Sequence, residues 1–136
     1  MENGQWDFPE NLWYDEHYQW IRKEGDHVLF GLTHYGLEIT GDILYLALPL
    51  AGDEVCRGDA CGSLEAGKWV GRIYPPISGR VVRVNEEIAR RPALIGQDPY
   101  ECWFMELSPS RPLESKGFMT AAALRKWLER EGQDDA

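Results

Sequence analysis

The chain has 136 residues, which supports one domain with a real core but not two. Its formal net charge of −9 lacks the basic footprint of a nucleic-acid binder; it suits docking onto basic patches of partner proteins, or simple solubility. No apolar run approaches the length of a membrane span. Residues 1–7 carry neither a basic region nor an apolar stretch, so the chain reads as cytoplasmic, with no secretory signal and no membrane partner.

Residues 1–7 read as a flexible N-terminus. Residues 12–14 and 17–22 then read as short strands, Gly25-Asp26 as a turn, and residues 28–32 as a buried strand. Thr33 is placed to cap a short helix over residues 35–39, closed by Gly41. Residues 42–48 form the most apolar run of the chain. Bounded by Pro49 and Gly52, the run is short enough to predict a buried strand and not a helix. Residues 55–64 and 79–84 supply further strands. Asn85 is expected to cap a short helix that Pro92 stops, and residues 103–107 make a last strand. Thr120 is placed to cap a terminal helix over residues 121–130, whose Leu124, Trp127 and Leu128 share one face for packing on the body. Residues 132–136 are expected to be disordered.

Many short strands, frequent turns and no alternation of strand with helix predict a mainly β fold, a sandwich or barrel. Three cysteines, Cys56, Cys61 and Cys102, are an odd number and poor material for a disulfide framework. Cys56 and Cys61 lack the spacing of a zinc knuckle. All three are expected to be small core residues. No nucleophile–base pair, phosphate loop or metal-ligand cluster is visible, and His17, His27 and His34 are scattered.

The most specific feature is Lys68. Residues 62–67 read as a strand entering a tight turn with this lysine near its tip, and residues 74–86 as a Pro/Gly turn feeding a returning strand. A lysine so placed presents a nucleophilic amine on a flexible stem, and Gly67 suits a tight turn. The pattern Glu65-Ala66-Gly67-Lys68, followed by Pro76, Ser78 and Gly79, resembles the lipoyl-attachment region of the glycine cleavage system H-protein family. The resemblance spans roughly residues 8–109. Leu48-Pro49 with Gly52, Asn85-Glu86, Pro92-Ala93-Leu94-Ile95, Asp98-Pro99-Tyr100 and Trp103 carry it along the chain.

The resemblance implies a lipoyl-domain-like barrel-sandwich hybrid with short helices and a C-terminal helix. It places a lipoyl-carrier domain at residues 8–110 and an extension with a helix at 111–136. It also implies covalent lipoate on Lys68, and a carrier that is not itself an enzyme. Glu65, Gly67, Trp69 and Gly79 are then the turn and ligase-recognition residues, Glu65 matching an acidic residue that helps the lipoylating enzyme recognise the turn. In that family the loaded arm swings into a cleft of the body, although the sequence does not say which residues line it here. The tether raises the local concentration of cargo at each docked partner, so weak docking suffices. A biotin carrier uses a similar hairpin, but biotinylated lysines usually sit between methionines, and here the neighbours are Gly67 and Trp69.

Several residues depart from the family pattern. Its turn is close to Glu-Ser-Val-Lys-Ala, whereas Trp69 follows the lysine here. His17-Tyr18-Gln19-Trp20 is longer by one than the usual His-Glu-Trp, and the segment around Cys102 is shortened. Because these changes gather around the arm, they favour an H-like lipoate-binding protein of sulfur oxidation serving a heterodisulfide-reductase-like complex. The alternative is a glycine cleavage H protein carrying an aminomethyl group between glycine dehydrogenase and aminomethyltransferase. Either role implies a lipoate ligase or lipoyl transferase and dihydrolipoamide dehydrogenase as partners. Two further classes are an unmodified protein-binding module and an enzyme with a redox thiol.

Overall fold

The computed structural model describes residues 8–67, 69–113 and 117–135, with the backbone alone for 132–135. The expectations for residues 1–7, Lys68 and Ala136 lie outside the described residues. The fold is mainly β, built from a six-stranded and a three-stranded sheet, and no closed barrel forms among the described residues.

The larger sheet begins with β1 (Trp13–Tyr14), β2 (Gln19–Glu24) and β3 (His27–Leu32), antiparallel in sequence order. Gly25 makes the β2–β3 turn in the left-handed region, at φ +61°. The order continues through β9 (Met105–Pro109), β8 (Gly79–Val84) and β5 (Glu54–Val55). The smaller sheet is β4 (Ile43–Ala47), β6 (Gly62–Ala66) and β7 (Val70–Ile73), with β6 in the middle. Ile21, Val28, Phe30 and Leu107 from one sheet and Ile43, Leu64 and Ile73 from the other share one buried cluster. The core therefore lies between the sheets.

The first helix, α1 (His34–Thr40), forms as predicted. The Thr33 hydroxyl accepts the Gly36 N–H at 3.0 Å, and Gly41, at φ +85°, donates to Leu37 O at 2.8 Å and ends it. Residues 42–48 correct the expectation of a buried strand. In β4 only Ile43 is buried, while Leu44 and Tyr45 are 53% and 68% exposed. A three-stranded sheet covers the core with one face only, and a bulge between Ile43 and Tyr45 breaks the alternation. Asn85 stands at the cap of α2 (Glu86–Arg90), but its side chain makes no capping bond. Its backbone N–H donates to Phe104 O at 3.0 Å. The single turn α3 (Leu94–Gln97) had no expectation, and the last strand starts two residues later than predicted.

The terminal helix α4 (Ala121–Asp135) starts at the predicted cap, with the Ala123 N–H on Thr120 Oγ1 at 3.1 Å. It continues through the region expected to be disordered, since one glycine in a helix costs only about 1 kcal/mol. Its Ala121 and Leu124 pack with Phe8, Leu12, Tyr14, Trp20 and Leu29 in a second cluster, which Trp127 and Leu128 flank. Reciprocal 2.8 Å bonds between Tyr14 and Met119 and stacking of Trp13 on Phe118 tie the extension to β1.

Candidate functional site

Strands β6 and β7 form a hairpin, with Leu64 opposite Gly71 and Glu65 opposite Val70. Residues 67–69 connect them. The Ala66 N–H donates to Trp69 O at 2.8 Å across the tip, and the Gly67 N–H donates to Asp42 O at 3.0 Å, tying the tip to the start of β4. Lys68 sits in this connection by sequence, and its own placement lies outside the described residues. Gly67 is not in the left-handed region, and a Cβ there would meet nothing within 4 Å, so the turn does not require glycine at this position. Glu65 projects from the outer face of the small sheet, between Tyr45 and the exposed Val70.

Trp69 turns its indole back over the hairpin. A Cβ built on Gly71 would lie 1.9 Å from the ring's Cη2. The ring forms one wall of a cleft of about 460 Å³, with Ile39, Leu64, Tyr18 and Tyr74 among the other linings and Gly36 at its edge. This is the size of an ordinary small-molecule site, about 300–1,000 Å³, and its walls are largely apolar. On the other side of α1 a second recess, about 520 Å³, touches Gly67, but Glu38 and Asp42 line it with carboxylates. A further cavity of about 700 Å³, around Arg57, Ile77 and Phe118, shares no residue with the hairpin. Gly79 belongs to the large sheet, buried and in register with Val55 and Pro109. A Cβ there would come 2.2 Å from Ser108 O, so glycine allows this close strand crossing.

A polar cluster that the sequence did not reveal closes the end of the apolar cleft. Asp15 is 4% exposed and accepts the His17 N–H at 2.9 Å and the Gln19 side chain at 2.9 Å; Gln19 also donates to Tyr74 O at 3.1 Å. Burial pushes the Asp15 carboxyl up to about 6, against the opposing pull of bonds from His17 and Gln19. Tyr18, in the same turn, has φ +61°, a strained conformation for a non-glycine residue. Thr33 holds it by donating through both its N–H and its hydroxyl to Tyr18 O. An aspartate opening a turn was the available signal for this cluster.

All three cysteines are free thiols. Cys102 is buried as expected, Cys61 is half-buried, and Cys56 is exposed, which corrects the core assignment for that residue. Burial pushes the Cys61 thiol up to about 11 and raises Cys102 as well, with Asp98, Glu87 and Glu101 adding to the rise in the latter. Neither thiol is primed as a thiolate. No group of metal-binding side chains occurs among the described residues.

The family model for the glycine cleavage H-protein matches residues 12–131. The chain belongs to the glycine cleavage H-protein family. It is 40% identical over 125 residues to the glycine cleavage system H protein of Gloeobacter violaceus, covering 90% of this chain and 97% of that one. It is 35% identical over 126 residues to that of Anaeromyxobacter sp. (strain K), covering 92% and 98%. The crystal structure of a glycine cleavage system H protein from Mycobacterium marinum superposes with a TM-score of 0.78 at 30% identity, over 92% of this chain and 99% of that one. Glycine cleavage H-proteins are carriers, not enzymes, and hold lipoate covalently on a lysine. These comparisons give the sulfur-oxidation reading no support.

Proposed function

We propose that this chain is the lipoyl carrier of a glycine cleavage system, with lipoate on Lys68. The observation that carries the reading is a family match spanning the hairpin whose three-residue connection contains Lys68. Of the four lysines, Lys23, Lys68, Lys116 and Lys126, it alone falls in that connection. The cleft that begins at Trp69 fits the arm. It opens one residue from the attachment point, and its walls suit methylenes and a dithiolane.

When attached, lipoate supplies the dithiol that carries an aminomethyl group. The chain's own residues present, recognise and shelter. Glu65, standing exposed on the outer face, is the acidic mark for a lipoate ligase or lipoyl transferase, with Gly67 and Trp69 bracketing the target amine. Gly79 shapes the returning strand. The net charge of −9 supports docking onto basic faces of glycine dehydrogenase, aminomethyltransferase and dihydrolipoamide dehydrogenase in turn. Residues 8–110 are the carrier domain and 111–136 its C-terminal extension. The working compartment is the cytoplasm, and no helix among the described residues is long and apolar enough to cross a membrane.

The test is reconstitution. Lipoylated chain should support glycine decarboxylation with glycine dehydrogenase, and Lys68→Arg should not. Turnover only with a heterodisulfide-reductase-like complex would sink the assignment to glycine cleavage.

A further inference from the structure

The residue after the attachment lysine is a tryptophan, and its indole has a prepared seat. The three atoms nearest to a Cβ at Gly71 all belong to the Trp69 ring, at 1.9, 2.1 and 2.5 Å. No side chain other than hydrogen at position 71 leaves the ring where it is. Gly71 is an ordinary strand residue paired with Leu64, without a positive φ, so the backbone does not demand glycine there. The ring does. The Trp69 backbone is pinned by the Ala66 N–H, yet the side chain remains 44% exposed. One face of the indole is therefore parked on the hairpin while the rest of the ring borders the cleft that contains Ile39, Leu64 and Tyr74.

We infer that Trp69, held by the Gly71 seat, is a wall of the arm's cleft and covers the apolar stem and dithiol of the docked arm. This rests on lipoate being attached to Lys68. An aromatic face is a large apolar surface of low conformational cost, suited to pack along methylenes and sulfur. Trp69 is next in sequence to the modified lysine and lines the cleft.

The experiment uses full-length chain lipoylated at Lys68, verified by peptide mass, then reduced and treated with limiting iodoacetamide. The rate of alkylation of the two arm thiols is read from the Lys68 peptide released by cleavage after Glu65, which separates them from Cys56, Cys61 and Cys102. Trp69→Ala should raise this rate roughly five- to tenfold, the effect of removing one aromatic contact from a docked arm. Gly71→Ala, which keeps the indole but evicts it from its seat, should raise it similarly. Trp69→Phe should stay within about twofold of the parent, since a ring remains to pack on. Melting curves establish that each variant is folded, and Gly71→Ala carries the test should Trp69→Ala unfold. Equal rates in all four proteins would overturn the covering role and leave the attachment site intact. A Lys68 peptide without lipoate would overturn both.

Discussion

Asp15 offers a quantitative test of the packing around the cleft. Its carboxyl is buried, and its folded value of about 6 stands against an ordinary 3.8. A group whose pKa is raised by folding stabilises the fold most below its unfolded pKa, and that contribution is lost as pH rises through the folded value. With a factor of ten in protonation equilibrium worth about 1.36 kcal/mol, ionising Asp15 costs about 1 kcal/mol of stability at pH 4.5 and about 3 kcal/mol at pH 7. In Asp15→Asn the side-chain oxygen keeps the backbone donors of His17 and Gln19. Its amide faces the Gln19 amide, a mismatch of about 1 kcal/mol that does not depend on pH. Relative to the parent, the variant should therefore gain about 2 kcal/mol between pH 4.5 and pH 7. Urea unfolding followed by tryptophan fluorescence at both pH values, at equal ionic strength, measures this directly. A stability difference between the two proteins that is the same at both pH values, within about 0.5 kcal/mol, would refute the reasoning.

Glu106 should behave with the opposite sign. Burial would raise its carboxyl, but hydrogen bonds and charge from Arg83 and His27 outweigh that and hold it below the usual glutamate range. Glu106→Gln should cost about 1 kcal/mol at pH 7, and the loss should shrink as pH falls through the carboxylate range; a loss that grows in acid would contradict this. Gly79→Ala drives a Cβ against Ser108 O and should lower stability by about 1–3 kcal/mol in thermal melts, whereas an unchanged midpoint would show that the strands can separate there. Leu124→Ala empties a buried site between α4 and the body and should cost about 2–5 kcal/mol in urea unfolding. It should leave lipoylation of the hairpin unaffected, and joint loss of both would mean that the helix supports the hairpin directly.

Much of this fold was legible where local chemistry decides local structure. Thr33 and Gly41 bracket α1 because a hydroxyl at one end and a left-handed residue at the other satisfy its free backbone groups. β4 was misread as buried because an apolar run does not say how many sheet faces are covered, and nothing local announces the bulge that turns Leu44 and Tyr45 outward. At the site, the spacing from Glu65 to Gly79 around Lys68 pointed to the hairpin. The reason for Gly71 was hidden, since residues two apart in a chain reveal no stacking. Asp15, Gln19 and Tyr74 were equally hidden, because the bond from Gln19 to Tyr74 joins positions 55 residues apart. The departures around the arm were visible, but their direction was not: they suggested a different pathway, while the matched relatives carry the name of glycine cleavage.

The central claim is chemical and is tested by mass. The chain should be purified from cells that lipoylate their own proteins, with thiols trapped, and analysed intact and as peptides. One lipoyl adduct is expected, confined to the peptide containing Lys68 and absent from Lys68→Arg. An unmodified Lys68, or lipoate on Lys23, Lys116 or Lys126, would contradict it.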